Sequence, residues 1–141
     1  MRQALYMLVQ VTWGLPQALV GALIFLVTPT NESRFRFHGA IVTTWGRREG
    51  LSMGPFIFLP RRASRRLLVH EYGHTIQSLI LGPAYLPIMV LPSLIWAGLP
   101  LLKRRRELRG TSYYSFYTER TADALGERVT GERSMGTDCG V

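Results

Sequence analysis

Cysteine is scarce in this chain of 141 residues, which contains Cys139 and no other thiol. A single thiol excludes an internal disulfide and a cysteine-rich zinc site, and it gives no sign of an oxidising compartment. Histidine is almost as rare, with three residues, and Asp and Glu together number nine. Any metal site must therefore be assembled from this small set of imidazoles and carboxylates.

Charged residues make up only 18% of the chain, and two long stretches contain none. These stretches are residues 3–31 and 75–102, and each is longer than the roughly 20 residues that a helix needs to cross a bilayer. Hydrophobic residues make up 47% of the chain, a content that excludes a disordered tail or a fibrous repeat. We therefore expect a single membrane-associated domain rather than a purely water-soluble globule.

Acidic residues are outnumbered by 17 basic residues, of which only Lys103 is a lysine, and the formal net charge is +8. Such an excess suits either a nucleic acid or an anionic membrane surface. The basic clusters at 61–66 and 103–106 border apolar segments, so lipid headgroups explain them more simply than nucleic-acid phosphates do. We therefore expect the lipid bilayer as a partner, and no nucleic acid.

The first uncharged stretch predicts an N-terminal transmembrane helix over residues 4–28. A cleaved signal peptide is the alternative, but its apolar core would be shorter and would end at a small-residue cleavage site. A retained anchor is therefore favoured. Gln10, Pro16 and Gln17 are unusual on a lipid-facing surface, which indicates that one side of this helix packs against protein.

A β-hairpin is predicted over residues 35–59. Two runs rich in Thr, Val, Ile and Phe, at 35–45 and 51–59, are separated by a turn-like segment at 46–50. Because Pro55 has no backbone donor, the second strand is expected at a sheet edge. A free edge can bind an extended peptide; an ordinary hairpin packed under a helix is the alternative.

Two further helices are predicted from the spacing of apolar residues. One spans residues 63–81, with Ser64 as its N-cap, and Gly-Pro follows its last residue. The other spans residues 111–129 and begins at Thr111 or Ser112. Together with the hairpin, these elements predict an α+β, mainly helical fold.

The hydrophobic segment 79–102 contains four prolines, which interrupt helical hydrogen bonding. We expect a broken or re-entrant membrane segment here rather than a straight span. Basic residues precede and follow it, and such residues prefer the cytoplasmic side of a membrane. The segment would therefore enter and leave on the cytoplasmic side, where the catalytic part of the chain would also lie, with the N-terminus outside.

Two of the three histidines lie four residues apart in His70-Glu71-Tyr72-Gly73-His74. On a helix, positions i and i+4 share one face, so His70 and His74 can occupy two corners of a tetrahedral zinc site. Glu71 is offset from that face and can act as general base on a zinc-bound water. The alternative is a pair of surface histidines beside a solvated glutamate. An apolar helix next to a membrane segment disfavours it, because three polar side chains would be left unsatisfied.

A catalytic zinc needs a third protein ligand and an open fourth position. Glu119 and Asp123 lie four residues apart on the last predicted helix. One can bind zinc while the other holds a ligand histidine through its second ring nitrogen. We favour Glu119 as the ligand; a solvated acidic face paired with Arg120 is the alternative.

The two motifs together resemble the paired signature of the gluzincin-type membrane zinc metallopeptidases. This group includes the CAAX prenyl proteases, the bacterial heat-shock membrane protease and the mitochondrial inner-membrane stress protease. The signature is HExGH followed downstream by ExxAD, and the matching residues are His70, Glu71, Gly73, His74, Glu119, Ala122 and Asp123.

The resemblance implies one Zn²⁺ held by His70, His74 and Glu119, with Glu71 as general base and acid. It also implies that Asp123 orients a ligand histidine, and that an edge strand upstream of the motif helix pairs with substrate. The family's transition-state donor, a His or Arg beyond the third ligand, has no clear counterpart. The candidates for stabilising the oxyanion are Tyr114, Tyr117, Arg120 and Arg128.

From these observations we expect a membrane-associated zinc metallopeptidase, with endopeptidase activity on a peptide or a membrane-protein segment. A first alternative is an inactive protein of the same fold in which the same residues bind zinc. A second alternative is a basic membrane adaptor without metal. Zinc content distinguishes the adaptor from the other two, and proteolysis distinguishes the enzyme from the inactive protein.

Overall fold

The computed structural model describes residues 2–112, 114 and 116–135, so Cys139 lies outside the described residues. The mixed α+β architecture predicted from the sequence is confirmed. The helices are α1 (Arg2–Thr12), α2 (Leu15–Val27), α3 (Arg65–Leu81), α4 (Leu91–Gly98), α5 (Pro100–Arg109) and α6 (Tyr117–Thr130). The strands are β1 (Arg34–Phe37), β2 (Ala40–Trp45), β3 (Leu51–Met53) and β4 (Phe56–Pro60).

The N-terminal apolar stretch is not the single helix predicted over residues 4–28. It forms α1 and α2, which meet at an angle of 99° around Gly14. Pro16 explains the break, because its ring nitrogen has no hydrogen to donate to the carbonyl one turn earlier, and its ring would clash with that carbonyl in a continuous helix. Gln10 and Gln17 are both fully buried, as expected for a side packed against protein. Their side-chain amides hold the bend against α3 by donating hydrogen bonds of 2.8–2.9 Å. The acceptors are the Thr75 carbonyl, the Ser78 hydroxyl and the Gly82 carbonyl.

Among the described residues, no single helix is both long and apolar enough to cross a membrane. Two bent helix pairs meet the length and composition for a broken span or a re-entrant loop. One pair is α1 with α2, and the other joins Arg65–Ala84 to Leu86–Gly98 at an angle of 119°.

The predicted hairpin over 35–59 is wrong in its pairing. Each predicted strand is itself a hairpin, and the sheet order is β1-β2-β4-β3 with β2 and β4 parallel. The turns fall at His38-Gly39, where both residues have positive φ, and at Gly54-Pro55. Residues 46–50 therefore connect two hairpins, and Pro55 lies in a turn. The edge strands are β1 and β3, while β4 is interior.

The core lies between this sheet and α3. Aromatic packing extends it to α1, since the Tyr6 and Tyr72 rings stack with centroids 6.1 Å apart. The buried side chains are Tyr6, Phe37, Ala40, Val42, Ile57, Leu59, Leu68, Val69 and Tyr72. Helix α3 is therefore packed on the sheet on one side, which leaves its opposite side for α6.

The hydrophobic segment 79–102 is broken into short helical pieces, as its prolines predicted. A 3₁₀ turn at Gly82–Ala84 and a π-helical turn at Leu86–Val90 precede α4 and α5. Each of these four pieces carries a proline within its first two residues. Proline is tolerated there because the first turn of a helix does not need its backbone donors. The segment thus folds back across α3 towards α6.

Helix α6 begins at Tyr117 rather than at the predicted residue 111. Gly110 ends α5 in the left-handed conformation, with φ of 62°, and Phe116 caps α6 without a side-chain hydrogen bond. Neither Thr111 nor Ser112 is its N-cap.

Candidate metal centre

Close contact between α3 and α6 brings the two sequence motifs together. A Cβ atom at Gly73 would lie 1.8 Å from the Ala122 carbonyl oxygen, and one at Gly126 would lie 2.3 Å from the Val69 carbonyl oxygen. Only glycine permits such an approach of the two backbones. This close approach explains why each motif has a small residue, Gly73 or Ala122, beside its polar residues.

Three potential ligands converge across this helix contact. The His70 Nε2 lies 3.0 Å from the Glu119 Oε2, and the His74 Nε2 lies 3.3 Å from the same oxygen. One ligand atom from each residue falls within 4.8 Å of the others. His70 and Glu119 are buried, with 1% and 2% exposure, and His74 is partly buried. The structure thus forms a group that can hold one metal ion.

The outer ring nitrogens of both histidines have buried acceptors. The His70 Nδ1 lies 2.8 Å from the Asp123 Oδ1, which also accepts from the Ser134 hydroxyl. The His74 Nδ1 lies 2.7 Å from the Gln77 Oε1. Because these oxygens accept, each Nδ1 donates, and each Nε2 directs its lone pair towards Glu119 when the ring is neutral.

The donor geometry fits a tetrahedral metal ion. Ligands held about 2.0–2.1 Å from a tetrahedral zinc lie about 3.3 Å apart, close to the observed nitrogen–oxygen separations of 3.0 and 3.3 Å. When both rings are neutral, two imidazole nitrogens and one carboxylate oxygen direct lone pairs at one another, and a cation can bind between them. The residues therefore fit a divalent metal.

The electrostatics of the centre favour such a cation. Burial by itself would lower the pKa of His70, but hydrogen bonds with Asp123 and Glu119 outweigh burial and raise this pKa to about 10. Burial would likewise raise the pKa of Glu119, yet hydrogen bonds from His70 and His74 hold it well below its usual range. The surrounding carboxylates thus stabilise positive charge at the point where the three ligands meet.

Glu71 faces the same cavity as the three ligands and is 5% exposed. Its Oε2 accepts a hydrogen bond from the Ser52 hydroxyl at 2.7 Å. Its other oxygen lies against Gly50, where a Cβ atom would come within 2.3 Å of Oε1. The edge strand β3 and the residue before it therefore fix the Glu71 carboxylate.

A cavity of about 500 Å³ opens beside the centre. Its lining includes residues of β3 and of the helical pieces after α3. Its apolar lining comprises Leu51, Leu67, Tyr85, Met89, Val90, Leu94 and Ala97. Three basic side chains also reach it: Arg48, Lys103 and Arg106. The space suits an apolar side chain next to the metal centre.

The four candidates for oxyanion stabilisation occupy different places. Tyr114 lines the cavity, and its ring lies edge-on to His70 with centroids 4.9 Å apart. Burial and the nearby carboxylates raise its pKa to about 12, so its phenol stays protonated at neutral pH. The Tyr117 hydroxyl donates to the Ile88 carbonyl. Arg120 and Arg128 are exposed, and neither lines the cavity.

Three contacting residues were not identified from the sequence. Gln77 lies three positions after His74, on the same helix face, and this spacing was an available signal. Ser93 on α4 donates to the Glu119 Oε1 at 2.8 Å. Ser93 and Ser52 approach the centre from separate elements, so nothing in the local sequence marked them.

Comparisons with known proteins return no relative for this chain. No protein-family model, curated protein or solved structure matches it. The likeness to gluzincin-type membrane metalloendopeptidases thus stays a prediction carried by the two motifs. The chemistry of the site is judged from its donor atoms, their distances and their burial.

Proposed function

We propose that this chain is a membrane-associated zinc metallopeptidase of the gluzincin type. The observation that carries the proposal is the meeting of His70 Nε2 and His74 Nε2 at the Glu119 Oε2, at 3.0 and 3.3 Å, beside a cavity that Glu71 also lines. Three protein ligands and an open side are typical of catalytic rather than structural zinc.

Zinc is the metal that this donor set favours. Two neutral imidazoles and one carboxylate suit zinc better than calcium or magnesium, which prefer oxygen ligands alone. His70, His74 and Glu119 would hold the ion, and Asp123 and Gln77 would hold the two imidazoles. Zinc, when bound, supplies a Lewis acid that polarises a carbonyl and lowers the pKa of a coordinated water.

The residues around the ion have separate roles in peptide hydrolysis. Glu71 would accept the proton of the attacking water and deliver it to the leaving amine. The protonated phenol of Tyr114 would donate a hydrogen bond to the developing oxyanion. Ser52 would keep the Glu71 carboxylate in place through its 2.7 Å hydrogen bond.

The substrate would be a peptide or a segment of a membrane protein. An extended chain can add to the free edge of β3 through backbone hydrogen bonds. Gly50, Leu51 and Ser52 line the cavity next to the metal centre, so a substrate on this edge would bring its backbone close to Glu71. The apolar lining would then take a neighbouring side chain.

The membrane is the proposed location of the protein, with its catalytic part on the cytoplasmic side. Apolar side chains on α1–α2 and on the later helices remain more than half exposed, among them Leu8, Leu19, Leu23, Leu26, Leu91 and Leu101. So much exposed apolar surface is unusual for a monomeric soluble protein. The arginines around it would contact anionic headgroups.

Replacing Glu71 with Gln tests the proposal. We expect the purified wild-type protein to contain one zinc per chain and to cleave unstructured peptides in detergent or lipid. Glu71→Gln should retain zinc and lose at least about 99% of the cleavage, because the general base contributes 10²-fold or more. The matched control Glu107→Gln, at an exposed position on α5, should remain active.

Each alternative gives a different result in the same experiment. An inactive zinc-binding protein would contain zinc but show no cleavage in the wild type. A basic membrane adaptor would contain no stoichiometric zinc, and its membrane binding would not need His70. Either result would overturn the peptidase assignment.

A further inference from the structure

We propose that Gln77 is a positioning residue that fixes His74 as an Nε2 ligand of the metal. The inference rests on the proposed metal centre. It adds a role for a side chain that neither motif contains.

The contacts of Gln77 are all made in the interior. The side chain is 2% exposed. Its Oε1 lies 2.7 Å from the His74 Nδ1. Its Nε2 donates to the Thr118 carbonyl at 2.8 Å and to the Thr121 hydroxyl at 2.7 Å. The amide thus reaches from α3 to α6, the helix that supplies Glu119.

These contacts determine which way the amide faces. An amide nitrogen carries two hydrogens, and both have acceptors on α6. The oxygen of Gln77 is therefore the atom that faces His74, and a carbonyl oxygen can only accept. The hydrogen of the neutral imidazole must lie on Nδ1, which leaves the Nε2 lone pair directed at Glu119.

The arrangement differs from that at the other histidine. Asp123 accepts from the His70 Nδ1 with a carboxylate, whereas Gln77 accepts from His74 with a neutral group. Glu71, Glu119 and Asp123 already bring three carboxylates to this buried region. A neutral acceptor orients the second imidazole without adding a fourth negative charge, whose burial would be costly.

The second function of the amide is to couple two ligands. The Gln77 side chain bonds both to His74 and to the Thr118 carbonyl, just before Glu119. A shift of α3 relative to α6 would therefore disturb the positions of both His74 and Glu119. Removing the Gln77 oxygen leaves the His74 Nδ1 without its acceptor, so it should weaken metal binding more than removing one hydrogen bond to α6 does.

The test compares three variants by zinc affinity, measured by competition with a chelating indicator. Gln77→Met keeps the length of the side chain and removes the acceptor, so zinc should bind about 10- to 100-fold more weakly. Thr121→Val removes only one acceptor on α6 and should change affinity less than about threefold, since His74 keeps its partner. Gln77→Glu keeps an acceptor for Nδ1 but places an oxygen against the Thr118 carbonyl, so it should recover only part of the zinc affinity that Gln77→Met loses.

A spectroscopic readout separates positioning from packing. In ¹⁵N NMR spectra of the zinc-loaded wild type, His74 should carry hydrogen on Nδ1 and metal on Nε2. Zinc bound through the His74 Nδ1 would overturn the inference, whether or not Gln77→Met folds. Equal losses of affinity in Gln77→Met and Thr121→Val, or no loss in Gln77→Met, would also overturn it while leaving the metal centre intact. A wild-type protein without zinc would instead overturn the metal centre and this role with it.

Discussion

Replacing Gly73 with Ala should greatly weaken metal binding by separating α3 from α6. The added Cβ would lie 1.8 Å from the Ala122 carbonyl oxygen, whereas a methyl carbon and a carbonyl oxygen normally approach to about 3.3 Å. The two backbones must therefore separate by about 1.5 Å at this point. The obstacle is backbone rather than a flexible side chain, so no rotamer change can relieve it.

The separation is large compared with the tolerance of the metal centre. The nitrogen–oxygen distance between His70 and Glu119, now 3.0 Å, would lengthen towards about 4.5 Å. Two atoms bound to one zinc at about 2.1 Å can never be more than about 4.2 Å apart. One of the ligands would thus be lost, and overpacking of the helix contact would cost about 1–3 kcal/mol of folding free energy.

Zinc titration and thermal unfolding measure the two effects of Gly73→Ala. We expect zinc affinity to fall at least about 100-fold and the melting temperature to fall in the zinc-free protein as well. Gly98→Ala on α4 is the control, because a Cβ there would meet nothing within 4 Å. Gly73→Ala protein that binds zinc with wild-type affinity would refute the idea that this close helix contact assembles the ligands.

Three other perturbations address the base, the third ligand and the ion. Gly50→Ala would place its Cβ within 2.3 Å of the Glu71 Oε1, so peptide cleavage should fall at least about 10-fold while the zinc content stays unchanged. Loss of zinc would instead contradict the view that this contact acts on Glu71 and not on the ligands. Ser93→Ala removes a 2.8 Å bond to the Glu119 Oε1 and should weaken zinc binding about 10-fold, as expected for one bond to a carboxylate; chelator competition giving wild-type affinity would argue against it. Removing zinc that is present at about 100 times its dissociation constant should lower the free energy of unfolding by about 2.7 kcal/mol. Calorimetry should then show a melting temperature lower by roughly 10 °C, and an unchanged melting temperature would contradict zinc binding to the folded state.

The grouping of the candidate ligands was within reach of sequence reasoning. The i, i+4 spacing of His70 and His74 predicts a shared helix face, and the same spacing in Glu119 and Asp123 supplies two carboxylates with different roles. The structure brings all four together. Local periodicity was sufficient for this because each pair lies within one regular helix.

Long-range packing was beyond the sequence pattern. The apolar stretch 4–28 was long enough for one helix, but the bend at Gly14 is held by Gln10 and Gln17, whose partners lie more than 60 positions away on α3 and just after it. The predicted strand pairing was wrong for a related reason. Two short hairpins and one long hairpin have the same strand-forming composition, and only the parallel pairing of β2 with β4 distinguishes them.

The segment between the two motifs has a part in the metal centre as well as an apolar surface. Each of the three candidate ligands presents one atom to the common point because another side chain occupies its other polar atom: Asp123 for His70, Gln77 for His74 and Ser93 for Glu119. The first two partners belong to the ligand helices, whereas Ser93 lies in α4. The α4 helix also forms a wall of the cavity through Leu94 and Ala97. An apolar segment that only covered the protein from solvent would not need a hydroxyl bonded to a metal ligand, so movement of α4 should alter the shape of the cavity and the hold on Glu119 together.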